Sequence, residues 1–389
     1  MGKRLLLVDH ALPTPDRDAG SAYTYSHLQI LTAAGFDVTF LATVANPEDP
    51  YAHALRDLGV AVPRVDGHDE LREAVERLAP SCDVALLYRA PVAFHVIDRI
   101  REVAPSAKVA FLPVDLHYLR MAREETVAGS DADGSSHMRS MELGLVDAAD
   151  ATIVVSTFEH DLLLREVPGA QVHTVLILHE TPRRTRADVA RQALRRLGPA
   201  GRWVTAHEPA FRRRRDIVFL GGFVHVPNVD AVHWFVEEVL GLVRDAGVDN
   251  RFVIAGHAIP ASVAALARED VVVVGHVPDL ADLFASARMS VAPLRIGAGF
   301  KGKIVTSLSF GVPVVTTSIG SEGGGLVDGY DALVADDPAG LAAHIVRLSR
   351  DDELWQNLSR ASYETFRTRF SHEAGGPGLV SIVRELAQR

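Results

Sequence analysis

The run Ala292-Pro-Leu-Arg-Ile-Gly-Ala-Gly-Phe-Lys-Gly-Lys303 brings together residue types suited to holding an anion. Gly297, Gly299 and Gly302 allow positive φ and close backbone approach, so peptide N–H groups can point at a negative ligand. Arg295, Lys301 and Lys303 supply full positive charges. The run follows a strand candidate, Ser290–Pro293, and leads into a helix candidate, Lys303–Gly311, whose dipole adds partial positive charge at its start. A pyrophosphate is the natural guest. The plainer alternative is a glycine-rich turn with solvated lysines; the coincidence of strand end, glycines, cations and helix start favours the anion site. Lysine is also scarce elsewhere: of 40 basic residues only Lys3, Lys108, Lys301 and Lys303 are lysines, and two of them share GFKGK.

Three further loops carry polar chemistry. In the turn between Asp9 and Ser21, Gly20 and Ser21 open a helix and could approach a phosphate or sugar hydroxyl; equally, Ser21 could simply cap that helix. In Pro113-Val-Asp-Leu-His-Tyr-Leu-Arg120, Asp115 and His117 are alternate residues that share a side in extended chain. His117 is suited to hydrogen bonding and proton traffic near neutral pH, although a histidine at a strand end is commonly structural. In Gly320-Ser-Glu-Gly-Gly-Gly325, Glu322 could accept from sugar hydroxyls while Gly323 and its neighbours admit the ligand. His225, His257 and His276 are too scattered to argue for zinc. No GxSxG, GK[ST] P-loop or HExxH pattern is present.

These loops fall between alternating short apolar runs and amphipathic segments, the pattern of βαβ units and parallel sheets. Strands are expected at Arg4–Asp9, Val38–Ala42, Val60–Val65, Val84–Tyr88, Val109–Pro113, Thr152–Val155 and Val172–Ile177. The alternation restarts with Ile217–Leu220, Phe252–Ala255, Val271–Val274, Ser290–Pro293 and Val312–Thr316. The fold class expected is α/β, two Rossmann-like doubly wound domains facing across a cleft. The division is 1–182, an Arg-rich linker 183–215, a second domain 216–368 and a tail 369–389 that crosses back to the first domain. The linker carries eleven arginines against two acids, Asp188 and Glu208. It reads as a solvated connection, with peripheral contact to anionic lipid as the alternative.

The run GAGFKGKI…SLSFGVPVVTT…GSEG, preceded by GHVPDLADLFASARMSVAPL and followed by LWQNLSRASYETFRTRFS, resembles the second domain of retaining GT-B glycosyltransferases of the GT4 type. VDHALPTPDRDAGS and DLHYLRMAREE are similar to a branch associated with bacterial surface-polysaccharide and O-antigen synthesis. The resemblance implies that the second domain holds a nucleoside-diphosphate sugar and the first the acceptor. Lys303, with Lys301 or Arg295 nearby, matches the family's diphosphate-binding position, Gly20 its donor-phosphate glycine, and His117 its histidine near the transferred sugar. Two glutamates common in the family fall at Ala298 and Thr306, and an arginine at Gly222, so those contacts must be made otherwise.

The expected reaction is glycosyl transfer with retention, catalysed through Arg295, Lys303 and His117, with Gly20, Ser21, Gly299, Lys301, Gly302, Lys303, Glu322 and Gly323 holding the donor. No cofactor and no metal is expected, because the cations take a metal's place. The partners implied are a nucleotide sugar and a glycan, lipid-linked or small-molecule acceptor. A net charge of −10 argues against nucleic acid. One cysteine, Cys82, the lack of a long apolar run and an N-terminus that reads directly as a strand suggest the cytoplasm. A sugar-nucleotide epimerase and a non-catalytic sugar-nucleotide or glycan-binding protein are the competing readings.

Overall fold

The computed structural model describes residues 2–128, 134–182 and 214–388. The first sheet contains β1 (Arg4–Ala11), β2 (Asp37–Ala45), β3 (Val65–Asp66), β4 (Val84–Tyr88), β5 (Lys108–Leu112), β6 (Ala151–Val154) and β7 (Val172–Thr174), in the order β3-β2-β1-β4-β5-β6-β7. All its pairings are parallel except β2 with β3. The second sheet contains β8 (Asp216–Leu220), β9 (Phe252–Ala255), β10 (Val271–Gly275), β11 (Ala287–Ala292), β12 (Val314–Thr316) and β13 (Leu333–Val334), wholly parallel in the order β10-β9-β8-β11-β12-β13. Helices cover both faces of each sheet, which is why strands such as Val84–Tyr88 are apolar throughout instead of alternating.

The edge strands β3 and β13 depart from the expectation, the first shortened and the second not foreseen. Val60–Val65 is mostly connecting chain; only Val65–Asp66 pairs, antiparallel to β2, and Ala61 makes an isolated bridge to Thr39. The edge strand Leu333–Val334 has too few residues to give a period. The helices that matter for the site are α1 (Ala19–Ala33), α2 (Ala90–Val103), α3 (His117–Ala128), α4 (Gly134–Ala148), α5 (Thr157–Glu166), α6 (Gly302–Ser309) and α7 (His372–Leu386). The cap of α1 is Asp18, not Ser21: Asp18 Oδ1 accepts from Ser21 N at 2.8 Å, so the helix begins at Ala19. A carboxylate there also complements the dipole.

The first-domain core is continuous with side chains of α6 and α7. Phe300, Ile304, Val305 and Leu308 share a cluster with Leu7, Val8 and Leu28, as do Phe366, Phe370, Leu379 and Val383. Helix α7 returns to α1, where Ser26 Oγ meets His372 Nε2 at 2.7 Å. The two sheets are thus fixed to one another through apolar burial, the largest favourable term available.

Residues 183–213 of the Arg-rich segment lie outside the described residues. Its last members belong to the second domain: Arg214 is buried, donates to the carbonyls of Phe284 and Ala287 at 2.9 and 3.1 Å, and packs over Trp355. Burial lowers its pKa to about 10. No helix among the described residues is long and apolar enough to cross a membrane.

Candidate active site

A cleft of about 690 Å³ lies between the carboxyl ends of the two sheets, where ligands of doubly wound folds collect. Gly20, Arg89, Asp115 and His117 line it from the first domain; Asn228, Lys301, Gly302 and Lys303 do so from the second. Helices α1 and α6 begin at the same place. A Cβ on Gly302 would stand 2.8 Å from Ala19 Cβ in the first turn of α1, so only glycine lets the two helix starts approach this closely. Two sets of first-turn amides and two dipoles therefore converge on one volume.

Both lysines of GFKGK are on the cleft. The Lys303 ammonium donates to Asn228 Oδ1 and sits 4.4 Å from the centroid of the Phe219 ring. Burial, with Lys301 adding repulsion, lowers its pKa to about 7. The Lys301 ammonium donates to the carbonyls of Ala298 (2.8 Å) and Gly299. Burial brings it down to about 8, although Glu322, Glu159 and Asp115 pull upward. Neither ammonium has a carboxylate in contact among the described residues. A partly desolvated cation so placed gains most from an incoming anion.

Other residues read from the sequence are engaged elsewhere. Arg295 turns from the cleft lining to Asp230, with Nε 3.1 Å from Oδ2, and its guanidinium lies over Trp234. Glu322 forms a two-pronged pair with Arg123 of α3 at 2.9 and 2.8 Å, and Arg123 also reaches the Gly297 carbonyl, tying the domains together. Gly299 and Gly323 back onto the first domain. A Cβ on Gly299 would stand 3.0 Å from Glu159 Oε1, and one on Gly323 would stand 2.3 Å from Ser156 Cβ. Ser21 is buried behind the cleft wall, with its hydroxyl near Thr14 Oγ1. Sequence reasoning credited these glycines with admitting a ligand; the structure uses them to admit the other domain.

Asp115 and His117 meet, though not in extended chain. Val114 takes φ +73 and His117 opens α3, so the imidazole Nε2 folds back to Asp115 Oδ1 at 3.1 Å. Arg120 Nε holds the other Asp115 oxygen at 3.0 Å. Burial opposes charge on both partners, but their pairing outweighs it: the Asp115 carboxyl lies well below its usual range and the His117 pKa is raised. The turn rests on two buried glutamates. Glu142 of α4 accepts from His117 N and Tyr118 N, both at 3.0 Å, capping α3. Glu159 of α5 accepts from Leu116 N at 3.3 Å and Ser156 Oγ at 3.1 Å. Burial raises both to about 7. Replacing Glu142 with Ala leaves two buried amides without acceptors, a loss of about 2 kcal/mol of stability expected in chemical denaturation. Unchanged stability would show that the cap is dispensable.

The loop Gly221–Asn228 follows a second-domain strand and so could be expected at a nucleotide pocket, which it lines; Arg89, Glu142 and Glu159 had no local signal. These three reach their partners across separations of 80, 25 and 43 positions, and none sits in a recognisable motif. Ala298 and Thr306 line the cleft, and the Thr306 hydroxyl bonds back to Gly302 O at 3.0 Å. At Gly222 a Cβ would meet Arg17 O at 3.3 Å, so a larger residue would press on the first-domain loop.

Residues 214–351 match the family described as Glycosyl transferases group 1. A curated relative, an uncharacterized 44.6 kDa protein in a cps region of Klebsiella pneumoniae, is 24% identical over 169 residues, 39% of this chain and 44% of its own length. The chain thus spans less than half of that relative. Among solved structures, a sucrose-phosphate synthase from Thermosynechococcus elongatus superposes with a TM-score of 0.70 at 16% identity, covering 99% of both chains. A variant of S. aureus TarM, in complex with fondaparinux, α-GlcNAc-glycerol and UDP, gives 0.71 at 9% identity over 100% of both. Anabaena HepE, in complex with UDP and glucose, gives 0.66 at 13% identity over 99% of both. The architecture is therefore GT-B, the facing two-domain α/β fold. Residues 214–351 thus form a domain similar to the glycosyl transferases group 1, set within a two-domain GT-B fold.

Proposed function

We propose that this protein transfers a glycosyl group, with retention of anomeric configuration, from a nucleoside-diphosphate sugar to a glycan, lipid-linked or small-molecule acceptor. The observation that carries the reading is the pair of half-buried ammonium groups, Lys301 and Lys303, lining the cleft at the point where α1 and α6 begin. In the reaction, the bond from the anomeric carbon to the diphosphate oxygen breaks and the acceptor oxygen bonds to that carbon from the same face. The acceptor proton passes to the leaving diphosphate. No side chain forms a covalent bond; the task is to stabilise charge on the departing group with cations and amides fixed in advance. Lys303 and Lys301 do this without a metal, and His117, oriented by Asp115, donates to the sugar or acceptor. Arg295 stays outside the reacting volume, held by Asp230.

UDP in the HepE and TarM complexes favours a uridine diphosphate donor, and the cps region of the Klebsiella relative favours a polysaccharide acceptor. Thermal-shift measurements against UDP, GDP, dTDP and ADP should give one clear stabilisation, because ligand binding raises stability by mass action. The matching nucleotide sugar is then expected to be consumed in the presence of an acceptor, with the product anomer read by NMR. Isomerisation of the free sugar nucleotide would mark an epimerase. Binding without turnover on any acceptor would mark a non-catalytic protein, and inversion at the anomeric carbon would remove the retaining mechanism.

A further inference from the structure

In the first sheet the strand order reverses between β1 and β4, which opens a crevice at their carboxyl ends. Asp9 of β1 and Arg89, the residue after β4, fill it. Asp9 is buried and satisfied several times over, by Thr24 Oγ1 at 3.0 Å, His10 N at 2.7 Å, and His10 Nδ1 at 3.0 Å. Burial would raise its pKa, but Arg89 and His10 hold it at about 2. Arg89 gives Asp9 only one of its terminal nitrogens, Nη1. Among the described residues Nη2 has no acceptor. It lies on the cleft side, 2.5 Å from where a Cβ on Gly20 would be, so glycine is required for the guanidinium to stand there.

Three things make this more than a structural ion pair. Arg89 takes φ +61, a strained conformation for a non-glycine residue that persists where the surroundings demand it. Val114, at φ +73, packs against the same glycine from the end of β5, with Cγ1 3.5 Å from that Cβ position. The amides of Ala19 and Gly20, in the first turn of α1, have no acceptor among the described residues, while the next amide is taken by Asp18. A cation fixed by a buried carboxylate therefore presents a spare N–H beside two open helix amides.

We propose that Arg89 binds a phosphate oxyanion over Gly20, giving the first domain an anion site of its own opposite the lysine loop. Arginine suits the position because its planar fork meets Asp9 with one terminal nitrogen and presents the other to a ligand; the one nitrogen of a lysine, drawn to Asp9, would stand short of the ligand. The phosphate belongs either to the nucleotide donor or to an anionic acceptor. The inference rests on the proposed function only for that choice of source.

The test uses the full chain with Arg89→Lys, Lys303→Ala and the paired variant Asp9→Asn/Arg89→Gln, which removes both buried charges together. Pyrophosphate, and inorganic phosphate with pyrophosphate saturating, are titrated by calorimetry, and melting temperature is followed alongside. Arg89→Lys should keep the wild-type melting temperature and weaken binding about tenfold, the loss of one charge-assisted hydrogen bond. Weakened pyrophosphate binding identifies the donor as the source; weakened binding of the second phosphate alone identifies the acceptor. If Arg89→Lys and the paired variant bind both probes as wild type does while Lys303→Ala loses pyrophosphate, Arg89 is a structural residue and the proposed function stands. If the wild type binds neither probe, both readings fall.

Discussion

Lys303→Ala is expected to lower the turnover of glycosyl transfer by about 10²–10³-fold, the scale seen when one fixed donor to a developing oxyanion is removed. The melting temperature should hold. Lys303 is half-buried and, among the described residues, has one side-chain partner, Asn228, and one ring, Phe219, around an ammonium that can donate three hydrogen bonds. Its lowered pKa, about 7, shows that the folded protein holds this charge at a cost. Removing it relieves that cost in the free protein and removes stabilisation only when a diphosphate is present or departing. A steady-state assay with a melting curve separates these effects. Wild-type turnover with unchanged nucleotide affinity would take Lys303 out of the site.

The second large effect is a loss of diphosphate affinity as pH rises. In the free protein burial lowers Lys303 to about 7 and Lys301 to about 8, so above neutrality each gives up its proton readily. A bound diphosphate favours the ammonium form, so its pKa rises in the complex and binding takes up a proton. Between the free and bound pKa values, affinity falls about tenfold per pH unit for each proton taken up. With Lys303 alone responsible, the dissociation constant should rise about 50-fold from pH 7 to pH 9. Lys301, one residue beyond Phe300 and nearer to Glu159 and Glu322, responds later because those carboxylates already favour its charge. Calorimetry at pH 8 in two buffers of different ionisation enthalpy reads the proton directly. Binding independent of pH and buffer would mean that neither ammonium meets the phosphates.

The Arg123–Glu322 pair bears on the same site from a distance. It joins α3, which begins at His117, to the loop after β12, and Arg123 also holds the carbonyl of Gly297. The histidine turn and the lysine loop are therefore mechanically linked. Glu159 strengthens this link: one carboxylate supports Leu116 N and lies beneath Gly299.

Local patterns carried far in this chain. Strands buried on both faces are apolar runs wherever they occur, so Arg4–Ala11, Val84–Tyr88 and Phe252–Ala255 were legible, and the lysine loop stood out because strand end, glycines and cations adjoin in sequence. The failures share one cause. Gly299 and Gly323 look like ligand-facing glycines until the first domain is seen pressed against them, and Arg295 looks like a cleft cation until Asp230 claims it. A glycine needed for close approach has the same letter whichever body approaches, and a charge shows nothing of a partner 65 positions away.

By itself, then, the order of residues determined the two-sheet architecture and the clustering of glycines and lysines at residues 297–303, because both depend on periodicity and on neighbours in the chain. Which cations line the cleft, how His117 is turned toward Asp115, and that Arg89 stands beside Gly20 were decided only by the tertiary structure. Those outcomes come from desolvation and from pairing between distant segments, and neither leaves a mark on local sequence.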